Sequence, residues 1–277
     1  MNENSSIPSP KPAPRHGMVL GKFMPPHKGH MLLIDFARHF VDDLVVVVGT
    51  LPSEPIPGSL RYQWMQELFP SCTVLHLEKV LPQYPEEAPS VEVFWQLWRS
   101  SLLEILPRQV DYVFASEDYG ARLASELGAR YIPVDQPRGL VPVSGTAIRE
   151  NPLKNWQHLP DIVRPYYLKR VCVFGPESCG KSTLARQLAA HFSTRWVPEF
   201  AQNLLAQQQG KLREADIEII ARGQLAAENA MARQAEKLLF CDTDLLTTVL
   251  WSRELFGSSS TWLETEAGRQ SYDLTLL

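Results

Sequence analysis

Short apolar, β-branched runs alternate with longer amphipathic stretches along most of this chain. Met18 to Leu20, Leu44 to Val48, Thr73 to Leu77 and Tyr112 to Ala115 have the length and character of buried strands, with helical material between them. That alternation predicts a parallel α/β sheet. A second cycle opens at Arg170-Val-Cys-Val-Phe174, runs through a helix from Lys181 to about Phe192, and returns as strands near Trp196 to Pro198 and Leu238 to Cys241. The chain therefore reads as two α/β units. Between them, Asn151 to Lys169 holds Pro152, Pro160 and Pro165; the sheet pattern lapses there and the prolines punctuate a short helical connector. The boundary is expected near Arg164, giving units 17–164 and 165–277. Residues 1–16, rich in Pro, Ser and Asn and lacking the apolar stretch of a signal peptide, read as a disordered tail.

Composition narrows the function classes. An apolar content of 44% over 277 residues is enough for real cores. A net charge of -4 gives no global positive field of the kind that draws a protein onto nucleic acid. The longest apolar run, Leu44 to Gly49, is far short of the roughly 20 residues that span a bilayer, so no membrane is implied. Cys72, Cys172, Cys179 and Cys241 are dispersed without a C-x-x-C pair, which argues against a disulfide framework or a cysteine zinc site. A soluble protein of the reducing cytoplasm is expected.

After the first strand comes Gly21-Lys22-Phe23-Met24-Pro25-Pro26-His27-Lys28-Gly29-His30, followed by the helical run Met31 to Arg38. A loop ending at a helix N-terminus attracts phosphate through unpaired amides and the helix dipole. Gly29 lets the backbone come close, and the imidazoles of His27 and His30 add two side-chain donors. Far downstream, Val143-Ser144-Gly145-Thr146-Ala147-Ile148-Arg149 is read as following a strand and opening another helix. Together these segments resemble the nucleotidyltransferase superfamily, whose H-x-G-H and I-S-x-T-x-x-R signatures bracket a Rossmann-like domain. Val143 replaces the usual isoleucine, an apolar exchange that leaves the chemistry alone.

The chain also carries Gly58-Ser-Leu-Arg61-Tyr-Gln-Trp64, Phe94-Trp95-Gln-Leu-Trp98 and Ala115-Ser116-Glu117-Asp118-Tyr119. With these it resembles the NadR family of bifunctional nicotinamide-mononucleotide adenylyltransferase and ribosylnicotinamide kinase proteins, over nearly all of 17–277. The resemblance implies in-line attack by the phosphate of nicotinamide mononucleotide on the α-phosphorus of ATP, with pyrophosphate leaving. Lys22, His27, His30 and Arg149 would supply donors and positive charge while magnesium screens the pyrophosphate. Gly21, Phe23, Gly29, Ser144 and Thr146 would lie around the nucleotide. Trp95 and Trp98, three apart, would share a helix face and either stack on the cationic nicotinamide ring or fill a core. Ser116 and Glu117, just past a strand's C-terminal end, are assigned to ligand recognition.

The second unit contains Gly175-Pro-Glu-Ser178-Cys-Gly180-Lys181-Ser182, a match to G-x-x-x-x-G-K-[ST] between an apolar strand and a helix. Loop amides would wrap the β-phosphate, with Ser178 and Thr183 flanking it. Lys181 would reach the β and γ oxygens, and the Ser182 hydroxyl would bind magnesium. Cys179 reads as a small tolerated residue. Lys237 to Asp244 is an apolar strand ending in carboxylates, of which Asp242 is preferred over Asp244 for magnesium or for the acceptor hydroxyl. Glu199 is either a base that orients the hydroxyl or a helix cap. The NadR resemblance implies that this unit phosphorylates the 5′ hydroxyl of nicotinamide riboside.

Two alternatives remain open at this stage: another small-molecule adenylyltransferase fused to a different kinase, and a nucleotide-sensing regulator. The region before Met18 reads as too short and proline-rich for a helix-turn-helix. Asp273 to Leu277 reads as a strand cut off near its end, so riboside phosphorylation is expected to be weak. The implied partners are small molecules, and self-association into a homo-oligomer stays open.

Overall fold

The computed structural model describes residues 14–277. Residues 1–13, most of the expected disordered tail, lie outside the described residues. The last part of that stretch is ordered instead. The Arg15 backbone N–H donates to Asp42 Oδ2 at 2.7 Å, and His16 opens the first strand.

The first unit, up to Asn151, consists of β1 (His16–Gly21), α1 (Lys28–Phe40), β2 (Asp43–Gly49), α2 (Gly58–Leu68), β3 (Thr73–Leu77), α3 (Val91–Ile105), β4 (Tyr112–Ala115), α4 (Tyr119–Leu127), β5 (Arg130–Pro133) and α5 (Gly145–Glu150). All strands pair in parallel in the order β3-β2-β1-β4-β5. The sheet is covered on both faces, which is why Leu44 to Val48 is apolar without interruption. Strand alternation divides those residues between two cores. Val19, Val46 and Val48 pack with Ile34 and Ala37 of α1 and Met65 of α2, while Met18, Val45 and Val47 pack with Leu102 of α3 and Leu123 of α4. Each such side chain contributes about 1.5–3 kcal/mol by leaving water.

The strand order reverses direction at β1, whose neighbours β2 and β4 lead to opposite edges of the sheet. In an open parallel sheet that switch point opens a crevice at the C-terminal strand ends, here beyond Gly21 and Ala115. Tyr119 ties the two ends together, its hydroxyl donating to the Leu20 carbonyl at 2.7 Å. The loop 134–144 separates β5 from α5, so Val143 to Arg149 follows a loop and not directly a strand.

The second unit begins at Pro152 and holds α6 (Arg164–Tyr167), β6 (Lys169–Val173), α7 (Lys181–His191), β7 (Arg195–Val197), α8 (Phe200–Gln207), α9 (Glu214–Ala232), β8 (Leu238–Asp242), α10 (Leu245–Phe256), α11 (Thr261–Arg269) and β9 (Leu274–Leu276). Its parallel sheet runs β7-β8-β6-β9. Val171, Val173, Ala185 and Phe240 form the core beneath α7, and Ile217, Leu245, Val249 and Leu263 form another among α9, α10 and α11. Among the described residues no helix is long and apolar enough to cross a membrane.

The division falls at residues 151/152, ahead of the boundary near Arg164. The connector is folded rather than extended: Trp156, Leu159 and Val163 are buried, and Arg164 lies over the Trp156 ring and pairs with Glu236 at 3.2 Å. Trp156→Ala should therefore destabilise the second unit by about 3–5 kcal/mol, read as a lower urea midpoint. A tryptophan in a mere linker would change stability by less than about 0.5 kcal/mol.

Candidate active site

The crevice at the switch point of the first sheet is a cavity of ≈ 750 Å³. Its floor is the first turn of α1. His27 caps that helix in an extended backbone conformation, its Nδ1 accepting from the Gly29 N–H at 3.1 Å. His30 stacks on it, with ring centroids 3.7 Å apart and planes 25° apart, and meets the edge of Phe23 at 4.9 Å. His30 Nδ1 is buried with no hydrogen-bond partner in the protein. Burial above all, then the charges of His27 and Arg138, hold its pKa well below the ordinary imidazole value. A lowered pKa favours the uncharged imidazole, which can still donate one hydrogen bond.

Positive charge comes from Lys22, Arg149 and Arg138, all of which line the cavity. Arg149 is not a solvated side chain. Its Nη1 donates to the Met24 carbonyl at 2.5 Å and its Nη2 to Thr146 Oγ1 at 3.1 Å. The Met24 oxygen would also lie only 2.8 Å from a Cβ at position 145. Gly145 is therefore what allows the start of α5 to reach the loop that carries the histidines. The two motifs, more than a hundred residues apart, meet at one carbonyl. Ser144 caps α5 by accepting from the Ala147 N–H at 3.1 Å, and its hydroxyl proton remains available to the cavity.

The other expected residues line the same cavity: Gly21, Phe23 and Gly29 beside the histidines, Ser116 and Glu117 past β4, and Trp95 and Trp98 from α3. The two tryptophans also back onto the α3/α4 core, and Trp98 Nε1 donates to the Pro82 carbonyl at 2.9 Å. Sequence reasoning missed Arg138. It pairs with Glu117 at 3.3 Å from a tight loop organised by Asp135, whose carboxylate accepts from the N–H groups of Gly139, Leu140 and Val141. The signal was present as a basic residue among turn formers, Asp135-Gln-Pro-Arg138-Gly. It also missed the role of Arg61, which is fully buried, and of its partner Glu54.

In the second unit the loop between β6 and α7 is held open by left-handed backbone at Ser178 (φ 62°) and Gly180 (φ 96°). Lys181 and Ser182 open α7, with Thr183 next, and Lys181 Nζ donates to the Pro176 carbonyl at 2.8 Å. Cys179 is exposed. Asp242 ends β8 beside Val173 of β6, fully buried, and neither carboxylate oxygen has a hydrogen-bond partner in the protein. Such a carboxylate calls for a cation or bound water. Asp244 is occupied differently, capping α10 through the Thr247 N–H at 2.8 Å. Among the described residues no three metal-ligating side chains cluster. One carboxylate plus the Ser182 hydroxyl matches the sparse protein ligation of magnesium, which keeps waters and phosphate oxygens. Glu199 occupies the cap position of α8 without accepting from its backbone, bonding instead to Gln202 Nε2 at 3.0 Å. Burial first, and Asp242 further, raise its pKa.

Comparison with known proteins agrees with this geometry. A family model described as an AAA domain matches residues 170–277. The trifunctional NAD biosynthesis/regulator protein NadR of Escherichia coli (strain K12) is 28% identical over 94% of this chain and 68% of its own length. The nicotinamide-nucleotide adenylyltransferase of Thermococcus onnurineus (strain NA1) is 27% identical over 53% of this chain and 78% of its own. The crystal structure of a NadR protein in complex with NR superposes with a TM-score of 0.78 over 94% of this chain and 77% of that one, at 24% identity. Another, in complex with NAD and AMP-PNP, superposes with a TM-score of 0.75 over 95% and 80% respectively, at 23% identity. The chain is homologous to the NadR proteins over almost its whole length, and its residues 170–277 match the AAA domain model with its P-loop.

Proposed function

We propose that the first unit transfers the adenylyl group of ATP to nicotinamide mononucleotide, forming nicotinamide adenine dinucleotide and pyrophosphate. The observation that carries this reading is the meeting of Arg149 and Gly145 with the Met24 carbonyl, which sets a guanidinium beside two stacked imidazoles at the switch-point cavity. A phosphate oxygen of the mononucleotide attacks the α-phosphorus of ATP. The bond from that phosphorus to the bridging oxygen breaks, and pyrophosphate leaves with the electron pair. The attacking phosphate is already an anion, so no base is needed. The residues align the reactants and meet the charge that develops. His27, His30 and the N-terminal end of α1 meet the α-phosphoryl oxygens, while Lys22 and Arg149 face the departing pyrophosphate. Magnesium carried by the triphosphate would neutralise part of the leaving group's charge.

In the second unit the loop cradles ATP for phosphoryl transfer to the 5′ hydroxyl of nicotinamide riboside. Lys181 meets the β and γ oxygens, Ser182 and Asp242 would hold magnesium, which would neutralise phosphate charge, and Glu199, with its raised pKa, takes the hydroxyl proton. The product of this unit is the substrate of the first. Adenylyl transfer is tested by mixing the chain with γ-labelled ATP and following labelled pyrophosphate. Release that requires nicotinamide mononucleotide supports the first reaction, and release without it, or none, contradicts it.

Gly145→Ala supplies a second test. The added methyl meets a backbone oxygen that cannot swing aside, so α5 must move and carry Arg149 with it. Displacements of this order cost about a hundredfold in rate. The expected result is a large loss of adenylyl transfer with little change in the thermal midpoint.

A further inference from the structure

Lys22 does not hang freely in the cavity. Its ammonium pairs with Glu54 Oε1 at 2.9 Å, and the Glu54 side chain is itself only 7% exposed. The other Glu54 oxygen accepts from the Leu51 N–H at 2.9 Å and from the Arg61 guanidinium. Arg61 is fully buried on α2 and reaches back to the loop that bears Lys22, donating to the Lys22 carbonyl at 2.6 Å and to the Ile56 carbonyl at 3.1 Å. Both the backbone and the side-chain end of Lys22 are thus gripped by one buried ion pair.

The charge balance gives this arrangement a purpose. A lone buried carboxylate beside Lys22 would cancel the positive charge that a triphosphate needs. With Arg61 behind it, the trio carries a net charge of one positive unit, displayed at the half-exposed Lys22 end. A flexible lysine loses rotamer entropy when it is ordered. Glu54 imposes that order before ATP arrives. The ion pair holds the ammonium in place while its N–H donors remain for phosphate oxygens.

We propose that Glu54 is a positioning residue for adenylyl transfer, holding the Lys22 ammonium at the leaving pyrophosphate, with buried Arg61 offsetting its charge. This rests on the adenylyl-transfer reading above. Glu54→Gln keeps the shape but removes the ionic grip and one negative charge. Two consequences separate this role from a structural one. The KM for ATP should stay level or fall, because the site becomes more positive, while kcat falls about tenfold to a hundredfold as placement is lost. The same substitution made on Lys22→Met should add little further loss of kcat, because the group it acts through is gone. Glu54→Asp, which retains the charge, should recover part of the rate.

Wild type, Lys22→Met, Glu54→Gln, Glu54→Asp and the Lys22→Met/Glu54→Gln double variant are assayed with ATP, magnesium and nicotinamide mononucleotide, with thermal melts alongside. A loss of kcat confined to the Lys22 background, at level or lower KM, is the expected result. An equal Glu54→Gln loss in both backgrounds, a raised KM at unchanged kcat, or an unimpaired Lys22→Met overturns the proposal and leaves the reaction assignment standing. A folded wild type that makes no dinucleotide overturns the assignment and the proposal together.

Discussion

His30→Ala is expected to lower dinucleotide synthesis by about a hundredfold to a thousandfold, or roughly 2.7–4 kcal/mol of transition-state stabilisation. The ring packs between His27 and Phe23, and its Nδ1 is buried. In a dry site each preformed donor is worth more than in water, and no neighbouring residue can rotate in to replace this one. Nucleotide binding by the second unit should be unaffected. Stability should respond to pH in a defined direction. The folded pKa of His30 lies below the unfolded value near 6.5, so the unfolded chain binds more protons below that pH, and stability falls as the pH drops from 6.5 toward the folded value. Removing the ring should flatten that part of the profile. Near-normal synthesis by a folded His30→Ala variant would remove the histidines from the mechanism.

The second large effect is selective. Lys181→Ala should abolish tight ATP-phosphate binding by the loop and lower riboside phosphorylation by about a hundredfold or more, while synthesis from supplied nicotinamide mononucleotide stays at the wild-type rate. Each unit has its own parallel sheet and its own loop leading into a helix, α1 in one and α7 in the other. Loss of both reactions from a folded Lys181→Ala chain would mean that one ATP site serves both.

The parts of this molecule legible in the sequence are those with local causes. The apolar runs at Leu44 to Val48 and Leu238 to Cys241 can only be strands covered on both faces, and each phosphate loop lies between its own strand and helix. β5 escaped notice because Arg130-Tyr-Ile-Pro133 is a half-exposed edge strand with little apolar periodicity. The connector misled because its prolines look like punctuation, whereas Trp156 and Leu159 bury themselves. The lowered pKa of His30 was not legible because burial of a side chain is a tertiary property that the H-x-G-H spacing does not carry. Glu54, Arg61 and Arg138 remained invisible as a group for the same reason. Lys22 and Arg61 are distant in sequence, as are Glu117 and Arg138, and only the fold brings them together.

The central claim is tested most directly by one product analysis. The 277-residue chain is incubated with ATP, magnesium and nicotinamide mononucleotide, with phosphopantetheine in a parallel reaction as a competing acceptor, and the products are identified by mass. The account predicts nicotinamide adenine dinucleotide and pyrophosphate in equal amounts, with no adenylylated phosphopantetheine. Absence of the dinucleotide from a folded protein, or preferential adenylylation of the other acceptor, would contradict it.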